Sequence, residues 1–473
     1  MKTPAIILKK SVEPTVTAPS TEPTRLFWKF RTYRMGDTIS PKISRKVLHL
    51  QRFERSRYDS TDLFRIIVLS CFFLIFWSIS ASALQPVESE NQMRNYLNKL
   101  RKQAGLRALI HAPIFSVAAQ KHADYLAKNF GRGHFEQQGF PLFSGNRPAD
   151  RVVAAGSHSR YVMENVSVHS EQVPVSTSVD GLMSAIYHRF AFLSLDHNRI
   201  GIGQSLSGRM HSYVYNLGNS NINLLCQRKS YTLPGRYYLQ VCADKDFKAS
   251  AIKFDQLIAQ NVIRQAAIIL WPPAGSNTVP PAFYKEEPDP LPKYDVSGYP
   301  ISIQFNRSLF VNDIPEIKRF ELFRQSDNKK LSIIKTLNKK TDQHKFFTLY
   351  QHAIFPLHRL GWDTEYRVEV DYIGNGTKQN IKWKFRTADP GLPIKTVTQN
   401  SQQFKVKSAQ PFILSVTPES QRDGESRYRS SYSSQLSLEI DMLDPHTLRV
   451  NLFGESGDAE INFHGKTIVL KLE

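Results

Sequence analysis

The sequence lacks the short motifs that define several enzyme classes. It has only three cysteines in 473 residues and no Cys-x-x-Cys pair, which argues against a zinc site built from cysteines. It also contains no His-Glu-x-x-His and no Gly-x-Ser-x-Gly, the signatures of zinc proteases and of serine hydrolases with a nucleophile elbow. Any catalytic function would therefore depend on residues that are distant from one another in sequence.

A long basic run is also absent from most of the chain. The formal net charge is +20, but residues 1–62 hold 13 Lys and Arg against 6 Asp and Glu, so +7 lies in that short segment. Nucleic-acid-binding proteins usually concentrate their charge on one element, so we expect no nucleic-acid partner. A hydrophobic content of 41% with 22% charged residues is typical of globular domains, and the length predicts about two to four of them.

One uncharged apolar run is present at residues 66–79, with the sequence IIVLSCFFLIFWSI after Arg65. It is followed by Ala81-Ser82-Ala83, so residues 63–85 are predicted to be a signal peptide cleaved after Ala83 or, if uncleaved, a membrane anchor. Residues 1–62 are predicted to be a disordered basic tail that stays on the cytoplasmic side, unless the chain starts later, for example at Met35. Both alternatives place the residues that follow outside the cytoplasm.

Two of the three cysteines, Cys226 and Cys242, are separated by a short stretch that contains the turn sequence Leu233-Pro234-Gly235. In an oxidising compartment this arrangement favours a disulfide. The alternative is a pair of buried free thiols.

Hydrophobic periodicity divides the remaining chain into a mixed region and a β-rich region. Apolar residues repeat at helical spacing in residues 91–130 and from Val179 to Leu193, and short apolar strands are predicted at Ile200–Gly203 and Tyr213–Leu217. From about Trp271 the chain is rich in proline, and residues 265–295 are predicted to be a linker.

Two β units are predicted after this linker, at residues 296–389 and 400–473. Alternating apolar and polar residues are typical of small antiparallel sandwiches. The predicted strands of the first unit are 301–305, 319–323, 366–370 and 381–385, and those of the second are 435–440, 447–452, 459–463 and 467–472. The fold class is therefore α+β.

Three polar residues could together carry chemistry: His134 after a glycine break, Glu164 before an apolar segment, and His188 on the third predicted helix. Two imidazoles and a carboxylate could hold a zinc ion with an open position for water. They could equally form a hydrogen-bond network without metal that shapes a cleft.

Other polar residues have a structural interpretation beside a functional one. His122 lies between apolar-face residues of the second helix and is predicted to pack and hydrogen-bond rather than to bind metal. Arg147 and Arg151 could bind an acidic ligand, but we expect them to anchor a loop through carboxylate or backbone contacts.

The order of short motifs resembles that of the bacterial branch of the CAP superfamily, named for cysteine-rich secretory and pathogenesis-related proteins. The matching residues are Leu97-Asn98, Arg101, Gly105-Leu106, Leu109, Ala119, His122-Ala123, Gly133-His134, Arg151, Ala155-Gly156, Glu164-Asn165-Val166, His188-Arg189, Gly201-Ile202-Gly203 and Tyr213-Val214-Tyr215-Asn216-Leu217.

The resemblance implies a CAP domain at residues 90–245 with an α-β-α sandwich and a cleft lined by two histidines and up to two glutamates. His134, Glu164 and His188 match three of these cleft positions. The second glutamate would fall near Ser184 or Ala185, where no acid is present, and this leaves proton handling to Glu164, the candidate catalytic residue. Residues 270–305 and the segment Trp383-Lys384-Phe385-Arg386-Thr387 resemble the region after a CAP domain and the last strand of a bacterial Ig-like domain.

Two functions follow from this interpretation. In the first, the protein is a ligand- or partner-binding module of the periplasm, cell envelope or exterior, anchored to the inner membrane through residues 63–85 if these are uncleaved. In the second, it is a metal-dependent hydrolase of a peptide, wall fragment or ester, in which zinc bound by His134 and His188 activates a water. No cofactor other than zinc is expected.

Overall fold

The computed structural model describes residues 90–473 except 171, 208–209, 231–233, 311–312 and 425–426. The predicted basic tail and the predicted signal or anchor at residues 63–85 lie outside the described residues. Among the helices that are described, none combines the length and the apolar character needed to cross a bilayer. The helices are α1 (Glu90–Gln103), α2 (Pro113–Asn129), α3 (Pro148–Ala154), α4 (Val175–Ser184), α5 (Ile186–Phe192), α6 (Ser220–Leu225) and α7 (Ala251–Val262).

The first region is a three-layer α-β-α arrangement around a four-stranded sheet of order β1-β3-β4-β2, and it also contains a two-stranded sheet, β5-β6. Ile200 and Ile202 face a core shared with α1 and α4, while Gly201 and Gly203 face α2. A Cβ on Gly201 would lie 2.0 Å from the backbone nitrogen of Ser116, so the alternating glycines are what allow α2 to pack directly on the sheet. The strands are β1 (Ile110–His111), β2 (Val162–His169), β3 (Arg199–Ser207), β4 (Met210–Gly218), β5 (Tyr237–Tyr238) and β6 (Ala249–Ser250).

The third predicted helix, Val179 to Leu193, is wrong as a single element. The chain forms α4 and α5 instead, because Ala185 between them has extended backbone dihedral angles (φ −71°, ψ 112°). The break turns α5 away from α4 and frees the backbone N–H of Ile186 from a helical partner. An acidic side chain from a distant segment accepts that hydrogen bond, as described below.

The predicted disulfide between Cys226 and Cys242 is confirmed, with a Cα–Cα distance of 5.3 Å. It ties the end of α6 to the segment before β6. Cys242 is buried in the same core as Leu225 and Phe254, so the bridge closes the last part of the α-β-α region onto α7.

A second region, the middle sandwich, has two four-stranded sheets, of order β13-β14-β10-β7 and β12-β11-β15-β16, and a separate two-stranded sheet, β8-β9. The predicted linker at 265–295 is corrected here: Ile268–Trp271, which precedes the prolines, forms β7 and pairs antiparallel with β10. Its strands are β7 (Ile268–Trp271), β8 (Ala282–Tyr284), β9 (Val296–Gly298), β10 (Ile301–Phe305), β11 (Glu316–Arg324), β12 (Lys329–Lys330), β13 (Ile333–Leu337), β14 (Gln351–Pro356), β15 (Glu365–Gly374) and β16 (Thr377–Arg386).

A third region, the C-terminal sandwich, has sheets of order β17-β19-β22-β21 and β18-β24-β23-β20. Its apolar core is separate and includes Phe412, Val450 and Ile461. The strands predicted at 435–440, 447–452, 459–463 and 467–472 are confirmed in position to within a few residues. The strands are β17 (Ile394–Val397), β18 (Ser401–Val406), β19 (Phe412–Val416), β20 (Tyr428–Tyr432), β21 (Ser437–Asp444), β22 (Thr447–Phe453), β23 (Gly457–Phe463) and β24 (Lys466–Leu472).

Candidate ligand-binding cleft

The two predicted cleft histidines lie side by side. His134 is in the loop after α2, directly after Gly133, whose positive φ of 82° turns the chain. His188 is on α5. Their ring centroids are 6.2 Å apart with 25° between the ring planes, so residues separated by 54 positions in the chain present two nearly parallel imidazoles to one space.

Glu164 on β2 holds the His134 ring. The Nδ1 of His134 donates to Glu164 Oε1 at 3.1 Å, and Arg151 Nη2 donates to both carboxylate oxygens at 2.8 Å. Burial by itself raises the pKa of the Glu164 carboxyl. The charges of Arg151 and of the neighbouring histidines outweigh this effect and lower the pKa to about 2. Glu164 is therefore a charged hydrogen-bond acceptor at any physiological pH.

Behind this pair lies a second, fully buried histidine–glutamate contact. His122 on α2 donates from Nδ1 to Glu136 at 2.9 Å, and its Nε2 lies 3.0 Å from the carbonyl oxygen of Gly133. The predicted packing and hydrogen-bonding role of His122 is confirmed by these contacts, because both ring nitrogens are used within the protein. They fix the glycine turn that carries His134.

Arg151 on α3 anchors the loop as predicted. Besides Glu164, its guanidinium donates to the carbonyl oxygens of His134 at 3.0 Å and of Gly145 at 3.1 Å. The side chain is fully buried. Arg147 lies just before α3, where its backbone N–H donates to Asp150.

The carboxylate beside His188 comes from outside the α-β-α region. Glu286, between β8 and β9, places Oε2 at 3.1 Å from His188 Nδ1. Its Oε1 accepts the backbone N–H of Ile186 at 2.8 Å, the group that the break at Ala185 had freed. Burial raises the pKa of Glu286, against the opposing effects of His188 and of this backbone bond. The cleft thus has two histidine–carboxylate pairs, although no acid occupies the expected positions Ser184 and Ala185.

Sequence reasoning missed Glu286, since it is 98 residues from His188 and lies in a segment assigned to the linker. Its only signal was an acidic pair, Glu286-Glu287, inside a proline-rich stretch. Two further contacts hold α5 against the middle sandwich: Tyr187 donates to Asp342 at 2.6 Å, and Arg189 donates to the carbonyl oxygen of Pro300 at 2.8 Å.

The cleft offers two imidazole nitrogens, those of His134 and His188, as ligands for a metal ion of the zinc type. In His134 and His188 the Nδ1 atom is engaged by a carboxylate, and neither Nε2 has a hydrogen-bond partner within the described part of the chain. A carboxylate on the distal ring nitrogen is the usual arrangement behind a metal-binding histidine, because it fixes the tautomer and raises the basicity of the other nitrogen. Glu164 has no such freedom, since both of its oxygens are occupied by Arg151.

The comparison with protein families gives one match. The family model described as "CAP: Cysteine-rich secretory protein family" matches residues 94–216, which contain His134, Glu164 and His188. No curated protein matches the chain.

Solved structures with similarity to the chain include an outer surface protein from Borrelia burgdorferi, at 17% identity, a TM-score of 0.24 and coverage of 27% of this chain and 90% of that one. An extracellular protein containing an SCP domain from Bacillus anthracis str. Ames has 15% identity and a TM-score of 0.23, with coverage of 27% and 39%. Tandem Ig domains of titin have 11% identity and a TM-score of 0.15, with coverage of 37% and 90%. The family match, rather than these distant similarities, identifies the domain.

Proposed function

Because residues 94–216 form a CAP domain, we propose that this is an exported cell-envelope protein that binds a ligand in the cleft between His134 and His188. The observation that carries the proposal is the pair of imidazoles 6.2 Å apart, each oriented by a carboxylate on Nδ1 and each with an Nε2 that has no hydrogen-bond partner among the described residues. Groups that are oriented by a supporting shell and left unsatisfied at one atom are typical of binding sites.

The charges in the cleft favour binding over proton transfer by Glu164. A general base works best with a pKa near the working pH, and the pKa of Glu164 is about 2 because Arg151 outweighs the effect of burial. We therefore assign Glu164 the role of orienting His134, and Glu286 the equivalent role for His188.

Zinc would bind through the Nε2 atoms of His134 and His188, with the remaining positions taken by water or by a ligand group. When bound, it would supply Lewis-acid polarisation of an oxygen ligand. The chain's own residues orient the two rings, exclude solvent from the Glu164 side and keep both distal nitrogens protonated.

A metal-dependent hydrolase acting on a peptide, a wall fragment or an ester is the second candidate. The observation in its favour is Glu286, a buried carboxyl whose pKa is raised and which lies beside His188. Glu286 contacts Nδ1 of His188, on the side of the ring away from Nε2, so its part in such a reaction would be to hold the Nδ1 proton rather than to take a proton from water.

The disulfide supports export, since such bridges persist in oxidising compartments and are rare in the cytosol. The ligand or partner would then be a component of the cell envelope or its surroundings. Membrane attachment through residues 63–85, if these are uncleaved, is part of the same proposal.

The test is zinc binding by the full chain, measured by calorimetry and by metal analysis after dialysis. The double substitution His134→Ala/His188→Ala should remove one zinc equivalent. His158→Ala, at an exposed histidine in the same domain, is the matched control and should leave zinc content unchanged. Glu286→Gln should weaken binding roughly 10- to 100-fold through loss of the supporting carboxylate.

Equal zinc content in the parent chain and in the double variant would contradict the assignment of the cleft histidines. If the zinc equivalent is lost as expected, substrates with peptide, glycan-peptide and ester bonds should be tested. Turnover that depends on both the zinc and Glu286 would favour the hydrolase over the binding module.

A further inference from the structure

A second histidine–carboxylate group lies outside the cleft, at one end of the C-terminal sandwich. Among the described residues, Asp423, His446 and His464 form the only group of three or more His, Cys, Asp or Glu whose ligand atoms all lie within 4.8 Å of one another. We call it the His–His–Asp cluster. Each member comes from a different connection: Asp423 between β19 and β20, His446 between β21 and β22, and His464 between β23 and β24.

The ring of His464 is held with one nitrogen facing the cluster. Its Nε2 lies 2.6 Å from the carbonyl oxygen of Pro445, which can only accept, so this nitrogen carries the proton. The other nitrogen, Nδ1, then presents a lone pair toward Asp423 Oδ1 at 2.8 Å. When the His464 ring is neutral, the lone pair on its Nδ1 therefore faces a carboxylate oxygen of Asp423, and neither atom can donate a hydrogen bond to the other.

His446 repeats this arrangement in a fully buried position. The hydroxyl of Tyr284 donates to Asp444 at 3.1 Å, so its oxygen accepts from His446 Nδ1 at 3.2 Å. The remaining nitrogen, Nε2, is 3.3 Å from Asp423 Oδ2 but forms no hydrogen bond with any described residue, and the side chain has no exposed surface. A buried imidazole nitrogen without a partner is costly in a folded protein, unless a bound group satisfies it.

From this geometry we propose that the His–His–Asp cluster is a binding site for a divalent transition-metal ion, zinc in the first instance. The ligands are Nε2 of His446, Nδ1 of His464 and a carboxylate oxygen of Asp423. Ligand atoms around a tetrahedral zinc ion lie roughly 3.3 Å apart, given bonds of about 2.0–2.1 Å. His464 Nδ1 lies 2.8 Å from Oδ1 of Asp423, and His446 Nε2 lies 3.3 Å from the other oxygen, Oδ2, so the three groups converge and must shift to admit an ion.

Two further features match a metal site. Both histidines bond through the distal nitrogen to an oxygen, Pro445 O or Tyr284 Oη, as metal-binding histidines usually do. The ligand nitrogens of the two rings also lie within 4.8 Å of each other. The rings are stacked, with centroids 4.1 Å apart and 15° between their planes, so one ring must turn for both lone pairs to meet at one ion. Two imidazoles with one carboxylate suit zinc and leave a fourth position open.

The site also links two regions of the chain. Tyr284 belongs to β8 of the middle sandwich, and Asp444, which accepts its hydroxyl, is also paired with Arg359 of that sandwich. The ion would therefore fix three loops of the C-terminal sandwich at the point where they meet the preceding one. Its role would be structural.

The experiment uses the full chain carrying His134→Ala/His188→Ala, so that the cleft contributes no zinc. One equivalent of zinc is expected by metal analysis and calorimetry, and cobalt in its place should give the visible absorption of a tetrahedral ion. Asp423→Asn and His464→Gln, each added singly, should abolish stoichiometric binding. Tyr284→Phe should weaken it about 10- to 100-fold.

His358→Gln, at an exposed histidine outside the cluster, is the matched control and should retain the zinc equivalent. Circular dichroism confirms that each variant is folded, and Asp423→Asn is chosen because it preserves the shape of the side chain. No zinc bound by the cleft-negative chain, or zinc that survives both Asp423→Asn and His464→Gln, would overturn the proposal. Failure here leaves the cleft assignment unaffected, because the two tests remove different histidines.

Discussion

The two β-sandwiches are attached to the rest of the molecule in different ways. The middle sandwich shares one apolar core with the CAP domain, in which Met93 and Leu97 of α1 belong to the same cluster as Ile303 and Trp383. The C-terminal sandwich has a core of its own. A continuous core has no surface along which two domains can separate without exposing apolar area.

The polar contacts at the two junctions also differ, since those between the CAP domain and the middle sandwich are more deeply buried than those between the two sandwiches. At the first junction Arg189, which is fully buried, donates to carbonyl oxygens of both regions, Met183 and Pro300. At the second junction Arg359 pairs with Asp444, and their side chains retain 7% and 16% of their exposure. The CAP domain and the middle sandwich should therefore unfold as one unit, and the C-terminal sandwich as another.

The largest expected effects come from truncation in each core. Ile303→Ala and Ile461→Ala remove fully buried side chains, and each should cost about 2–5 kcal/mol. Calorimetry should show two transitions. Ile303→Ala should lower only the transition followed by Trp271, Trp362 and Trp383, because residues 390–473 contain no tryptophan. Ile461→Ala should lower only the transition of the C-terminal sandwich.

Ile252→Ala is the control for both, since Ile252 is 71% exposed on α7 and should change neither transition by more than about 0.5 kcal/mol. If Ile303→Ala or Ile461→Ala shifts both transitions equally, the two units are not separate.

Acid should next distinguish the two units. The pKa of Glu164 falls from 4.5 to about 2 on folding, so its contribution is fully present above pH 4.5 and is lost as the pH falls toward 2. The loss should be on the order of 3 kcal/mol. It should appear in the CAP and middle-sandwich transition, measured between pH 6 and pH 2, and Glu164→Gln should reduce this slope.

The contribution of Glu286 to stability should change with pH in the opposite direction to that of Glu164. Because burial raises its pKa, the folded state binds the proton more tightly than the unfolded state, and stability falls as the pH rises through its folded pKa. Glu286→Gln keeps an oxygen for the Ile186 N–H and removes the buried charge. At pH 7 it should be much less destabilising than Glu164→Gln, and a larger loss of stability for Glu286→Gln would contradict the assigned environments.

The smallest effect concerns the second junction. Arg359→Met removes the partner of Asp444 and should cost about 1–2 kcal/mol. The temperatures of the two transitions should also move apart, as coupling between the units weakens. Arg324→Met is the control, because its ion pair with Asp327 is exposed to solvent and should contribute little to stability. Equal effects of Arg359→Met and Arg324→Met would mean that the junction is not coupled through Asp444.

Local patterns predicted much of this molecule. The helical periodicity before Gly131 reflects which face of each helix is buried, and the short apolar strand predicted at Tyr213–Leu217 lies within the buried strand β4, so both predictions agree with the structure. The contact between His134 and Glu164 could be expected from the family resemblance, because both residues lie on the CAP fold itself.

What could not be predicted depends on contacts between distant segments. The break at Ala185 is stabilised by Glu286, 100 residues beyond Ile186, and no local pattern reports such a partner. The same applies to His446 and His464. Each lies in a turn between two strands whose sequence contains no metal-binding motif, and only the packing of the two sheets brings the two histidines together.

Because of Glu286, the complete cleft requires the segment after the CAP domain as well as the domain itself. A shortened chain that ends with the CAP match at residue 216 would carry both histidines but only one of their carboxylates. Substitutions in the segment after the CAP domain can therefore retune the cleft without any change to the CAP fold. Grafting this CAP domain onto another protein would transfer an incomplete site, so the two regions must be exchanged together.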